Sequence, residues 1–378
     1  MGLRDVLARY ATRRAHVFIV ETPGSWMVRA RLERQLIERG WRLGLTPADA
    51  DVLAVCGIPG PDLTGVVDRL WDQMPGPRVR TDLNETTDIA QALDAVAAQL
   101  ADTESHREDA AQRGHQPQAT SDENAMDHEG MDHGDMDHSS MDHGDMEMAP
   151  DGISLAEGAD DRDGLEMDVL HLRLGPVLPH WPAGLVLSCT LNGDVISRAE
   201  GSMIDDLENA APTVSHARSP AWRADNLAPF LALAGWEDAA ALARRVRDAQ
   251  LASHASSQID ASPEADASLK RLRHQVTHSR ALRRSLRGLR PLTPQDLNMH
   301  GLPQHLKGDT WDRLLTMLDQ AVNDVVDAAG DETRVRAPSP SPSAVAVAVV
   351  GLDLAAARLV IASLNMPPTV VPIAATHG

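Results

Sequence analysis

Cysteine is nearly missing from this sequence: Cys56 and Cys189 are the two thiols in 378 residues. They lie far apart in the chain, which excludes a disulfide framework and leaves each as a small apolar residue suited to burial. Aromatic residues supply only 3% of the chain, so cores must be built from Ala, Leu and Val and should be rich in helix. There is no basic excess to release phosphate counterions, which argues against a nucleic-acid role based on overall charge. The N-terminus, MGLRDVLARYATRRAHVF, has no apolar run of signal-peptide length and points to the cytoplasm. The longest late apolar run, Ala344 to Leu364, is interrupted by Asp353 and Arg358, which argue against a spanning helix. Nor does the chain carry a Gly-x-Ser-x-Gly elbow, a phosphate loop, a complete Gly-x-Gly-x-x-Gly after a strand, or a His-Glu-x-x-His pair. An enzymatic role therefore finds no motif to rest on.

What is present is long enough for more than one core, with 43% hydrophobic residues. The net charge of −20 is local. Between Asp102 and Glu166 there are 20 Asp and Glu against 3 Lys and Arg, while the rest of the chain carries 35 acids and 32 bases.

Three regions follow from patterning. Residues 1–103 alternate strand and helix. His16–Val20 reads as a buried strand, and Val28, Leu32 and Leu36 lie on one face of a helix closed by Gly40. A second strand, Asp51–Cys56, precedes a helix for which Asp62 is the expected cap, and a third near Arg78–Thr81 leads to a helix bearing Ile89, Leu93, Val96 and Leu100. This order predicts a small parallel sheet with helices on its faces. Residues 104–163 lack aliphatic periodicity and are expected to form a disordered acidic linker, spanning about 45 Å on average if flexible.

Residues 164–378 open with strand-like Leu165–Leu174, then two strand-like runs around Asn192-Gly193, the strongest short hairpin signal. Helices are expected around 227–233, 237–251, 269–289, 311–329 and 352–364. The expected fold class is thus a small parallel-sheet α/β domain, a disordered Met/His-rich linker, and a mostly helical α+β domain.

Inside the linker, Met126, Met131, Met136, Met141 and Met146 recur every five residues, with His128, His133, His138 and His143 two positions after the first four and Met148 at the end. A period of five builds no continuous apolar face. Thioether favours Cu(I), and imidazole also serves Cu(II), Ni and Zn, so this set is the candidate for copper or another transition metal. The pentads resemble Met-Asp-His repeats of bacterial copper-handling proteins. The alternative is a solvated acidic spacer, because closing a disordered chain around an ion costs conformational entropy.

Another candidate surface is the 268–290 stretch, SLKRLRHQVTHSRALRRSLRGLR, with eight Lys and Arg and with His274 and His278 four apart. It reads either as a docking or metal-binding face or as a solvated one. The cluster Arg244, Arg245 and Arg247 is expected at the surface.

Two stretches carry a family resemblance. ADADVLAVCGIPGPDLTGVVDRLWDQMPGPRV, residues 48–79, resembles the small cluster-bearing subunit shared by respiratory complex I and Ni-Fe hydrogenases in its Ala-Asp-Val-Leu strand, Gly turn and helix ending Asp-Gln-Met-Pro. LHLRLGPVLPHWPAGLVLSCTLNGDVISRAEG, residues 170–201, resembles the N-terminal hairpin of the large, 49-kDa-type subunit, where a Gly-Pro-x-His-Pro loop precedes two strands. The resemblance implies a fusion of two subunits that dock on one another, with membrane-embedded complex I-like or antiporter-like subunits as partners and a peripheral place at the inner face of the membrane. It puts the first cluster-binding cysteines in the loop Glu21-Thr-Pro-Gly-Ser-Trp26, where this chain has none. A tetranuclear cluster needs four thiolates, and a Ni-Fe centre needs paired cysteines, so neither cofactor is expected. The family's loop histidine falls at Leu178 without gaps and at His180 with a shift, which makes His180 the candidate for a quinone-like pocket. The resulting expectation is a cofactor-free, non-catalytic assembly subunit. A metal-delivery protein and a quinone-linked oxidoreductase subunit are the alternatives.

Overall fold

The computed structural model describes residues 12–113, 157–160, 166–205, 220–255, 263–327 and 340–367. The first part is a parallel sheet of β1 (His16–Glu21), β2 (Arg42–Leu43), β3 (Val52–Cys56) and β4 (Val79–Leu83), in the order β2-β1-β3-β4. Strand β3 is buried at every position because both faces of the sheet are covered. Val52, Ala54 and Cys56 face a cluster with α1 (Trp26–Arg39) and α3 (Ile89–Leu100). Leu53 and Val55 face α2 (Pro61–Gln73) together with Val186 and Ile204 from the second half of the chain. One side of this sheet is therefore completed by the other half.

Local chemistry sets the helix ends. Gly40, at φ 74, closes α1, and the Trp41 N–H donates to Leu36 O. Asp88 caps α3 by accepting from the Gln91 N–H. Asp62, expected to cap α2, does not: Gly60 is the cap and Pro61 the first helical residue, and the Asp62 N–H donates to Asp205 Oδ1 at 2.7 Å. A carboxylate from the second half thus serves that helix start. A further helix, α4 (Thr103–Arg113), occupies residues that composition had assigned to the start of the linker; Asp102 accepts N–H bonds from Glu104 and Ser105 at its beginning.

The second part opens with an antiparallel sheet in the order β5-β6-β7-β8, from Glu157–Asp160, Glu166–Leu174, Leu185–Asn192 and Val195–Met203. The Asn192-Gly193 hairpin is where the sequence placed it, while β5 lies in the stretch read as linker. Helices α5 (Pro220–Leu233) and α6 (Glu237–Ala255) follow, then α7 (Pro263–His278), α8 (Arg280–Leu286), α9 (Pro294–Met299), α10 (Thr310–Asp327), α11 (Pro342–Val349) and α12 (Leu354–Ser363). The sheet packs on α11 and α12. Most of the remaining helices form a second apolar cluster.

One expected helix is subdivided: the basic stretch breaks at Ser279, whose hydroxyl accepts the Leu282 N–H and restarts the chain as α8. The helix expected at 352–364 is α12, capped by Asp353 through the Ala356 N–H, and α11 precedes it within the same apolar run. Among the described residues no helix is long and apolar enough to cross a membrane.

Candidate functional site

Where the two halves meet, six charged side chains come together. Glu21 ends β1, Arg29 and Glu33 stand one turn apart on α1, Asp225 is on α5, and Arg247 and Asp248 are on α6. Arg29 donates to Glu21, to Glu33 at 2.7 Å and to Asp225 at 2.5 Å. Arg247 donates through Nη1 to Glu33 at 2.5 Å and to Asp225 at 2.8 Å, and through Nε to Asp248 at 2.8 Å. The Arg247 side chain is 0% exposed and that of Asp225 is 3%. Charges taken from water in this way persist only if paired, and here each guanidinium spans acids from both halves. Beside the network, Trp26 and Trp222 pack at 5.3 Å across the same boundary.

Partner number separates the acids. Burial alone would raise Glu33, but both arginines hold it down at about 2. Glu21, with one arginine and two nearby acids, is raised by burial, as is Asp248. Arg247 is raised by its carboxylates against the pull of burial.

Glu21, Arg29, Glu33, Asp225 and Arg247 line a cavity of about 210 Å³ whose wall also includes the loop between β6 and β7. His180 lies in that wall, at φ 57, and Arg358 donates to the neighbouring Pro179 carbonyl at 2.5 Å. Burial, then the nearby Arg244, lower the His180 pKa, favouring the neutral ring. Trp181 bonds Leu185 O at 2.7 Å, and Gly175, at φ 83, passes so close that a Cβ there would sit 2.1 Å from the same oxygen. The loop is fixed to the sheet at its base.

The loop after β1 carries no sulfur. Thr22 and Ser25 share a hydroxyl–hydroxyl bond of 2.8 Å, and a Cβ on Gly57 would fall 2.0 Å from one oxygen and 2.1 Å from the other. Cys56 faces the core with its thiol pushed up by burial, so the thiolate needed for metal binding is disfavoured. Gly57→Ala, which adds a Cβ at φ 97, should cost about 1–3 kcal/mol in thermal denaturation. A loss below about 0.5 kcal/mol, the scatter of neutral substitutions, would mean that the hydroxyl pair has room to yield.

The other sequence candidates lie elsewhere. Met126 through Met148 and the intervening histidines lie outside the described residues. His274 and His278 stack at 4.0 Å on exposed positions of α7, away from the charge network. Arg247, expected at the surface, is wholly buried, and Arg244 lines the cavity with its side chain 16% exposed. The signal existed: Ala239, Ala240, Ala243, Val246, Arg247 and Gln250 are buried at helical spacing, so Arg247 belongs to the inward stripe of α6. The network acids Glu21, Glu33 and Asp225 were not singled out by sequence at all; for Glu33 and Asp225 the cross-boundary partners are 196 or more residues away, and Glu21 bonds the nearby Arg29.

Fold and site define a class: a parallel α/β unit docked on a mostly helical α+β unit through a buried ionic network beside a cavity. No family model matches the sequence, and no curated protein matches it.

Proposed function

We propose that this chain is a non-catalytic assembly subunit, a fused and degenerate relative of the small and large subunits of complex I and Ni-Fe hydrogenase, docked on membrane-embedded partner subunits. The carrying observation is the loop after β1. At the place where the resemblance calls for cluster cysteines, Thr22 and Ser25 bond each other over Gly57, and the nearby Cys56 is sealed in the core. Docking of the two halves across Arg29 and Arg247 supports the same reading, because the two subunits resembled here also dock on one another. Electron transfer by the usual cluster route needs sulfur ligands that these positions do not offer. The purified protein should contain no stoichiometric iron or nickel and should co-purify with membrane subunits after mild detergent extraction. Stoichiometric metal with a cluster absorbance would overturn this reading.

A second reading, a quinone-linked subunit, is favoured by the cavity and by His180 in its wall. On that reading His180→Ala lowers binding of a short-chain quinone to the purified chain. Equal binding by parent and variant would remove His180 from it.

A further inference from the structure

Helices α7 and α8 bury Leu269, Leu272, Val276, Leu282 and Leu286 in one apolar cluster and leave most of the polar residues of 268–290 exposed. That stretch has eight Lys and Arg and no Asp or Glu. Elsewhere some surface arginines are paired, as in Arg34–Glu38, Arg39–Asp94 and Arg80–Asp68, and those without a carboxylate within 4.0 Å among the described residues, such as Arg42, Arg69 and Arg198, are scattered along the chain rather than gathered on one stretch. Here Arg273 pairs with Asp319, and Arg290 donates to the Val347 and Val350 carbonyls. Lys270, Arg271, Arg280, Arg283, Arg284 and Arg287 are exposed, and none has a carboxylate within 4.0 Å among the described residues. Arg280 and Arg284 stand four apart on α8, a like-charge spacing that weakens a helix, and Arg287 follows directly at its end. Such a face is stabilised by a counter-charge.

The chain itself contains one. Residues 114–156 hold eleven Asp and Glu and no Lys or Arg. They begin after α4 and end at β5, so both ends are tied to the fold. Their 43 residues can extend to about 140 Å. A compact body of this size has a radius of gyration of about 19 Å, so the tether reaches any point on it. Tethering also gives an effective concentration on the order of millimolar, ahead of dilute polyanions in solution. The face has no aromatic residue on which nucleic-acid bases would stack.

We propose that residues 114–156 dock electrostatically on the α7–α8 face and shield it from other polyanions. The partner is a segment of the same chain, and the site goes beyond the assembly role.

The chain has two lysines, Lys270 on this face and Lys307 outside it, both exposed, which makes carbodiimide coupling of carboxylates to lysine selective. In the full chain at low salt, Lys270 should couple to carboxylates of 114–156, and 0.5 M NaCl should reduce the yield about fivefold or more, as screening shortens to about 3–5 Å. Replacing 114–156 by Gly/Ser of equal length should raise heparin affinity about tenfold, an effect expected from losing a tethered competitor. Arg280→Glu with Arg283→Glu and Arg284→Glu should abolish that gain and the coupling together. Absence of Lys270 coupling, or coupling equal at Lys307, would overturn the proposal. So would equal affinity of the full and replaced chains for heparin, RNA or phosphatidylglycerol vesicles, which would assign the face to an outside partner.

Discussion

Arg247→Met is expected to lower the free energy of unfolding by about 3–5 kcal/mol, the usual cost of breaking a buried ion pair from one side. Methionine keeps most of the apolar stem and removes the guanidinium, leaving Glu33 Oε2 and Asp225 Oδ1 without their second partner. Arg29 still holds both acids through their other oxygens, so the loss should fall short of complete unfolding. Chemical denaturation measures it. Near-ultraviolet dichroism of the Trp26–Trp222 pair reports whether the boundary between the halves loosens first. Arg34→Ala is the control: its pair with Glu38 is about half exposed and should be worth well under about 1 kcal/mol. Replacing Arg247, Glu33 and Asp225 together by apolar residues of similar size should recover much of the stability, because no charge is then left buried alone. A cost for Arg247→Met no larger than that of Arg34→Ala would show that the network does not hold the halves together.

Acidification should act on the same network through Glu33. Its folded-state pKa of about 2 lies below the ordinary value of 4.5, so its contribution is fully present above about pH 4.5 and is lost as pH falls through that value toward 2. The shift corresponds to about 3 kcal/mol. Glu21 has the opposite sign. Its pKa is raised, so its contribution is present below 4.5 and is lost as pH rises through the raised value. Ionisation of Glu21 therefore weakens the boundary as pH rises. Denaturation midpoints at pH 7, 5 and 3 should fall with acid for the parent chain. Glu33→Gln should start lower and flatten that acid limb, and Glu21→Gln should be at least as stable as the parent at pH 7. An acid limb unchanged in Glu33→Gln would assign the sensitivity to other groups.

These effects could not have been read from the chain alone. The α1 pair Arg29–Glu33 has the i,i+4 spacing of an ordinary surface pair. Only the arrival of α5 and α6 makes it the centre of a buried network. Asp205 is similar: it lies next to β8 in sequence yet serves the start of α2, 143 residues away. His180 could be singled out by sequence, but its place in the same cavity wall as Arg29 and Glu33 depends on how the halves dock. The division of the expected 269–289 helix at Ser279 was locally encoded, since serine is a good cap residue, and was obscured by the apolar spacing that continues on either side.

By itself the sequence determined the alternation of strand and helix in residues 16–100, the Asn192-Gly193 hairpin, the helical character of the second half and the want of thiols. Each is a matter of near neighbours, periodicity or composition. Tertiary structure decided which polar groups would be dehydrated together. Pairing energies depend on distance and solvent exclusion, which bring Glu21, Arg29, Glu33, Asp225 and Arg247 into one network only after two separately encoded halves have closed on each other.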